Sequence, residues 1–177
     1  MARAAIARTN RYSGGAILFH WAIAALVLVN LWIGLIGGSM PVHKAIGITV
    51  LALTIGRIAW RIGHAPPPLP AHTPAIERLV AKTLHLIFYA LLVVLPMSGW
   101  TMSSGATRRP LTWFGVFDIP YLPVSSATAG VAHEAHEIVG IAMAVLVGLH
   151  IAAALRHHFL VRDNVLLRML PGRAPTV

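Results

Sequence analysis

The 177-residue chain contains no cysteine. That excludes disulfide staples, thiolate-held iron–sulfur clusters and the C-x-x-C-H attachment of a c-type haem; a haem here would have to be held without covalent links. Charge is scarce as well. Only 11% of residues are Asp, Glu, Lys or Arg and only five are acidic, against about 25% charged residues in soluble domains. No internal repeat divides the sequence, and what fills it is apolar: 57% hydrophobic residues with a mean hydropathy of +0.75. This is the composition of a membrane protein.

Four apolar runs reach the roughly 20 residues that a helix needs to cross a hydrocarbon core: about Ala16 to Gly38, His43 to Ile62, Thr83 to Met102, and Ala135 to Leu155. The first ends at Gly37-Gly38 without the small-residue cleavage pattern of a signal peptide, so it counts as a span. The net charge of +9 would suit a nucleic-acid binder, but the basic residues flank the apolar runs and obey the positive-inside rule instead. Arg3, Arg8, Arg11, Arg57, Arg61, Arg78, Lys82, Arg156, Arg162, Arg168 and Arg173 fall on the side of the termini and the second connection; only Lys44, Arg108 and Arg109 fall on the other. Both termini are therefore expected in the cytoplasm. The expected fold is an all-α integral membrane protein, a single domain over residues 1–177 built as a four-transmembrane-helix bundle.

The connections carry their own signals. "GHAPPPLPAHTPAIER" is too proline-rich to continue a helix and reads as a stiff cytoplasmic link. The outer segment from about Ser103 to Glu134 mixes prolines and glycines with Trp113, Phe114, Phe117 and Tyr121, and reads as a cap lying at the membrane surface. "RHHFLVRDNVLLRMLPG" alternates basic and apolar residues and is expected to leave the bilayer as a short interfacial helix.

Histidines punctuate the spans. His136 and His150 are 14 residues apart, about 40° short of four full turns and roughly 21 Å in rise, so they share nearly one face at opposite leaflets. His133 falls about 100° away from His150 and belongs to the outer loop or first turn. The outer level then offers His43 and His136; the inner level offers His20 and His150, with His85 as a competitor. Two bis-histidine pairs at two depths suit two b-type haems stacked across the bilayer. Gly34, Gly56 and Gly99 lie 14, 13 and 14 residues after His20, His43 and His85, which offers bare backbone at a haem level, although glycine also serves ordinary helix packing in membranes. Arg57, 14 residues after His43, is a candidate propionate partner or a snorkelling anchor; Arg61 reads as an anchor. His157, seven residues past His150, is a candidate border of a quinone pocket. "HEAHE" lacks the spacing of the zinc motif H-E-x-x-H and has no such meaning here.

The segments "AILFHW", "PVHKAIGI", "RIAWRIGHAPPP", "LHLIFYALLVVLPMSGW", "HEIVG", "VGLHIAAALRHHF" and "RDNVLLRMLP" resemble the bacterial cytochrome b561 family, over nearly the whole chain. The likeness is greatest to its small stand-alone superoxide:ubiquinone oxidoreductase members. The resemblance implies a four-helix membrane protein with two haems b in its core, bound non-covalently, with His20 and His150 as axial ligands of the cytoplasmic haem and His43 and His136 of the periplasmic one; His85 is left outside the coordination. It implies electron transfer from superoxide to ubiquinone, with lipid and quinone as partners and no nucleic acid. Lys44, Arg108 and Arg109 are the basic residues available outside to steer an anion. In the outer loop only "LTWFGVFDIPYLP" matches the superoxide oxidases. The rival readings are a cytochrome b subunit relaying electrons between quinone and a dehydrogenase or periplasmic cytochrome, and a haem-free transporter using its histidines as proton relays.

Overall fold

Each helix start has a local signal. Ser13 caps α1 (Gly14–Ile36) by accepting from the Ala16 N–H at 3.4 Å, and the helix stops where Gly37 takes a φ of +96°, open to glycine and costly for other residues. Ser39 and Pro41 then start α2 (Met40–Gly63), with proline where its missing N–H costs nothing. Pro74 precedes α3 (Ala75–Ser103), which carries Pro96 in its interior. Ser125 caps α4 (Ser126–Arg156) through the Thr128 N–H at 3.1 Å. The computed structural model describes residues 11–68, 73–105 and 110–172; Arg3, Arg8, Arg108, Arg109 and Arg173 lie outside them.

All four helices are long and apolar enough to cross a membrane. Leu18, Ile62 and Leu86 are 70% exposed or more, which is affordable only where the surrounding solvent is hydrocarbon. The helices outrun the apolar runs: α3 begins eight residues before Thr83 and α4 nine before Ala135. His133 is thus two turns inside α4, 3.6 Å from Glu137 one turn on, and not in a loop or first turn. Hydropathy marks the greasy part of a helix, whereas its end is set by the cap.

The helices pack in sequence, α1 on α2, α2 on α3 and α3 on α4, while α4 approaches α1 and α2 at few points. The core lies at mid-depth: Ile23, Ile46, Val50, Leu92 and Met143 are buried, flanked by Leu26, Leu53, Phe88 and Val147. Met143 stands midway between His136 and His150.

The connection between α3 and α4 is a cap with a small hairpin that sequence reading did not resolve. Strands β1 (Thr112–Trp113) and β2 (Phe117–Asp118) pair antiparallel, and the turn puts Phe114 at φ +47° and Gly115 at φ +75°, the signs of a type I′ turn. The hairpin is tied down. Leu111 and Ile119 are buried, Trp113 Nε1 donates to Thr49 Oγ1 at 3.1 Å, Lys44 Nζ to the Pro110 carbonyl at 2.9 Å, and Trp100 Nε1 to the Pro120 carbonyl at 2.8 Å.

At the opposite end the tail departs from the expected interfacial helix. After a π-helical turn (His157–Val161) Arg162 adopts a left-handed φ of +56°, and a 3-10 turn (Leu167–Met169) follows. The reason is a set of tethers. Trp21 Nε1 donates to the Met169 carbonyl at 2.6 Å, Arg168 to the Pro68 carbonyl at 2.7 Å, and Arg11 to the carbonyls of Leu170 and Gly172. The tail becomes a strap across the end that carries the termini.

Met143, 3% exposed, fills the layer that separates the two histidine levels. Met143→Ala is expected to destabilise the bundle by about 2–5 kcal/mol, read as a lower melting temperature in detergent; an unchanged value would show that this layer is not close-packed.

Candidate functional site

Four of the histidines meet in pairs. Toward the hairpin end, the rings of His43 on α2 and His136 on α4 have centres 6.0 Å apart; toward the termini, those of His20 on α1 and His150 on α4 are 6.3 Å apart. Both pairs bridge helices whose backbones stay apart, leaving the side chains to span the gap. Two imidazoles bound at about 2 Å on opposite sides of a single first-row metal would have ring centres roughly 6 Å apart. His85 also joins the second group, 5.9 Å from His150.

The two levels are built differently. At the hairpin end one device occurs twice. His43 Nδ1 lies 3.2 Å from the Asn30 carbonyl on α1, and His136 Nδ1 lies 3.1 Å from the Leu95 carbonyl on α3 and 3.0 Å from Ser98 Oγ. A carbonyl only accepts, so both Nδ1 atoms carry the proton and each Nε2 keeps its lone pair for a metal, the usual arrangement of a ligating histidine. One turn beyond each carbonyl is a glycine. A Cβ at Gly34 would come 3.1 Å from His43 Cε1, and one at Gly99 would come 3.2 Å from His136 Cε1. The bare backbone lets each ring lie against the neighbouring helix and reach its carbonyl.

Gly34 and Gly99 therefore sit at the hairpin-end level, and what they make room for is an imidazole. Gly56 does something else: a Cβ there would meet the Phe19 ring at 3.1 Å. At the termini end, His85 Nδ1 donates to the Ala81 carbonyl at 2.6 Å within its own helix. His20 Nδ1 instead faces Arg57 Nη1 at 3.5 Å, and a guanidinium can only donate. Phe88 closes on His150 with ring centres 5.3 Å apart.

Arg57 and Arg61 both lie over the Tyr89 ring, 5.4 and 5.9 Å from its centre. They line a cavity between α1, α2 and α3 together with Tyr12, Trp60, His64 and Met169 of the strap. His157 is not in ring contact with His150; its Nδ1 hydrogen-bonds Asp163 Oδ2 at 2.6 Å, and the same carboxylate accepts from the Val165 N–H at 2.9 Å. Lys44 holds the hairpin through Pro110. Sequence reading missed Ser98, Tyr89 and Asp163, since one hydroxyl, one ring and one carboxylate without spacing to a partner carry no motif.

A family model described as prokaryotic cytochrome b561 matches residues 11–172. The chain belongs to the prokaryotic cytochrome b561 family. It is accordingly a multi-pass membrane electron-transfer protein of a haem b family. Among relatives, it is 35% identical to cytochrome b561 homolog 2 of Escherichia coli (strain K12), over 91% of this chain and 92% of that one. It is 30% identical to the probable superoxide oxidase CybB of Yersinia pestis, over 93% and 98%, and 28% identical to cytochrome b562 of Cereibacter sphaeroides, over 92% and 96%.

The residues present fit haem: paired imidazoles from facing helices at both levels and, at the hairpin end, Nδ1 protons anchored on carbonyls and glycines that give the rings their place. Gly99→Ala and Gly34→Ala are each expected to displace the adjacent ring and lower the haem bound per chain, measured as pyridine haemochrome. Full haem content in both variants would sever the glycines from the site.

Proposed function

We propose that the chain holds two haems b, between His43 and His136 toward the outside and between His20 and His150 toward the cytoplasm, and carries electrons from superoxide across the bacterial inner membrane to ubiquinone. The observation that supports this best is the pairing of four imidazoles at two depths on facing helices, each pair about 6 Å between ring centres. Bound there, haem b supplies a one-electron couple at each level. The protein supplies the rest. Asn30, Leu95 and Ser98 orient the outer imidazoles, and Met143 with its apolar neighbours keeps water from the layer between the levels.

Two superoxide anions release two electrons and leave two O2; one quinone takes both electrons and two protons to give the quinol. Moving each electron inward against a potential negative inside costs about 2.3 kcal/mol per 100 mV, so the donor must be strongly reducing, which superoxide is. Lys44, with Arg108 and Arg109 beside the hairpin in sequence, supplies positive charge on the side where the anion arrives. On the cytoplasmic side, where both termini lie, His157 with Asp163 borders the quinone.

Two observations favour alternatives. The hairpin tip exposes Phe114, Val116 and Phe117, a landing surface that a relay to a periplasmic partner would use. His85, whose Nδ1 proton is already placed on Ala81, is the rival to His20 as partner of His150.

His136→Ala and His150→Ala are each expected to remove one of two haems, leaving the spectrum of the other; two haems retained would refute the ligands. His20→Ala is expected to lose the inner haem and His85→Ala to keep it, and the reverse pattern would exchange their roles. Pulsed superoxide should reduce the haems of the purified protein rapidly and, with quinone present, yield quinol. If reduction is no faster than spontaneous dismutation of the pulse, the donor is another molecule and the relay reading takes its place.

A further inference from the structure

Among the described residues, no carboxylate balances the positive charge of the cavity at the termini end. Between the described residues, contacts of basic side chains with carboxylates join His133 to Glu137, Arg156 to Glu77 and His157 to Asp163. None of them uses Arg57 or Arg61. These two guanidiniums are one helical turn apart, both are held on the face of Tyr89, and Tyr12, Trp60 and Met169 wall them in. Stacking on one ring fixes their direction, yet a guanidinium has five donors and no acceptor. A pair of them in a cavity calls for an oxyanion from outside the chain.

The neighbour of the pair decides which oxyanion. Arg57 Nη1 lies 3.5 Å from His20 Nδ1, so one residue lining the cavity also touches the inner imidazole pair. If His20 binds iron through Nε2, its Nδ1 carries a proton and offers Arg57 nothing to donate to; Arg57 must then turn to another acceptor within reach. The edge of a haem seated between His20 and His150 carries two carboxylates, one for each guanidinium.

We propose that Arg57 and Arg61, aligned by Tyr89, clamp the two propionates of the inner haem, and so set its reduction potential. The proposal rests on the haem reading above, extends it to Arg61 and Tyr89, and turns Arg61 from a membrane anchor into a binding residue. Two cations beside the haem disfavour the more positive ferric state. Removing them must lower the potential of that haem alone.

The test is a spectroscopic redox titration of the purified holoprotein with Arg57→Gln, Arg61→Gln and the double variant, against Arg61→Lys, which keeps the charge and loses the fork. The expected result is two haems per chain, one midpoint potential shifted downward by each glutamine variant and further by the double, the other unmoved, and most of the Arg61 shift recovered in Arg61→Lys. Midpoint potentials all equal to wild type, with both haems bound, would overturn the clamp. Loss of copurifying anionic lipid with unmoved potentials would overturn it too and assign the pair to a lipid phosphate. If a glutamine variant loses haem, Tyr89→Leu provides the same reading through loosened guanidiniums, with an unmoved potential again counting against the proposal. A wild-type protein without any b-type spectrum would instead sink the haem reading on which the clamp stands.

Discussion

An imidazole at the end of a membrane helix is useful as a ligand only if its ring cannot turn. At the hairpin end that immobility comes from one interaction used twice, a histidine N–H placed on a backbone carbonyl of the neighbouring helix, at Asn30 for His43 and at Leu95 for His136. The carbonyl already serves its own helix, so its second lone pair is reached only by a ring lying against the backbone. Gly34 and Gly99 permit that approach. Each ring thus lies against a helix that neighbours its own, His43 of α2 on α1 and His136 of α4 on α3.

Much of this was legible in the residues. Four spans follow from hydropathy, and the 14-residue step from His136 to His150 places two imidazoles on one face of one helix. The pairing across helices was open at the inner level, because depth alone does not distinguish His20 from His85; the structure keeps both within about 6 Å of His150. The glycines were legible as gaps but not as to what fills them. A spacing of 14 residues indicates the level at which Gly34 stands, whereas the neighbour that occupies its empty side depends on packing against α2.

The two ends were the least legible, for one physical reason. A hairpin or a strap is specified by contacts between residues far apart in sequence: Trp113 with Thr49, Trp100 with Pro120, Trp21 with Met169, Arg168 with Pro68. Periodicity is silent about such pairs. Three of the four donors are tryptophan N–H groups, which from sequence read as interfacial anchors. Here they reach hydroxyl or carbonyl oxygens of the chain, and the amphipathic ring that would mark the membrane surface becomes the fastening of a lid.

Those fastenings bear on how the two levels differ. Toward the hairpin, both rings are held by backbone of neighbouring helices, and Lys44, one residue past His43, ties the cap to the same helix end. Toward the termini, His20 faces a guanidinium, its neighbour Trp21 is held by the strap, and the strap's Met169 closes the cavity containing Arg57 and Arg61. Backbone carbonyls are fixed neutral dipoles, while the groups beside the other level are side-chain cations stacked on Tyr89. Rigid neutral groups therefore surround the imidazoles of one level, and net positive charge stands beside those of the other. Between them lies an apolar layer centred on Met143 that carries no charge, so a change in the cations at one level is felt weakly at the other. On the proposed two-haem reading, the same chain holds two sites of one ligand chemistry at unequal electrostatic potential, which would give an electron a direction along the bundle.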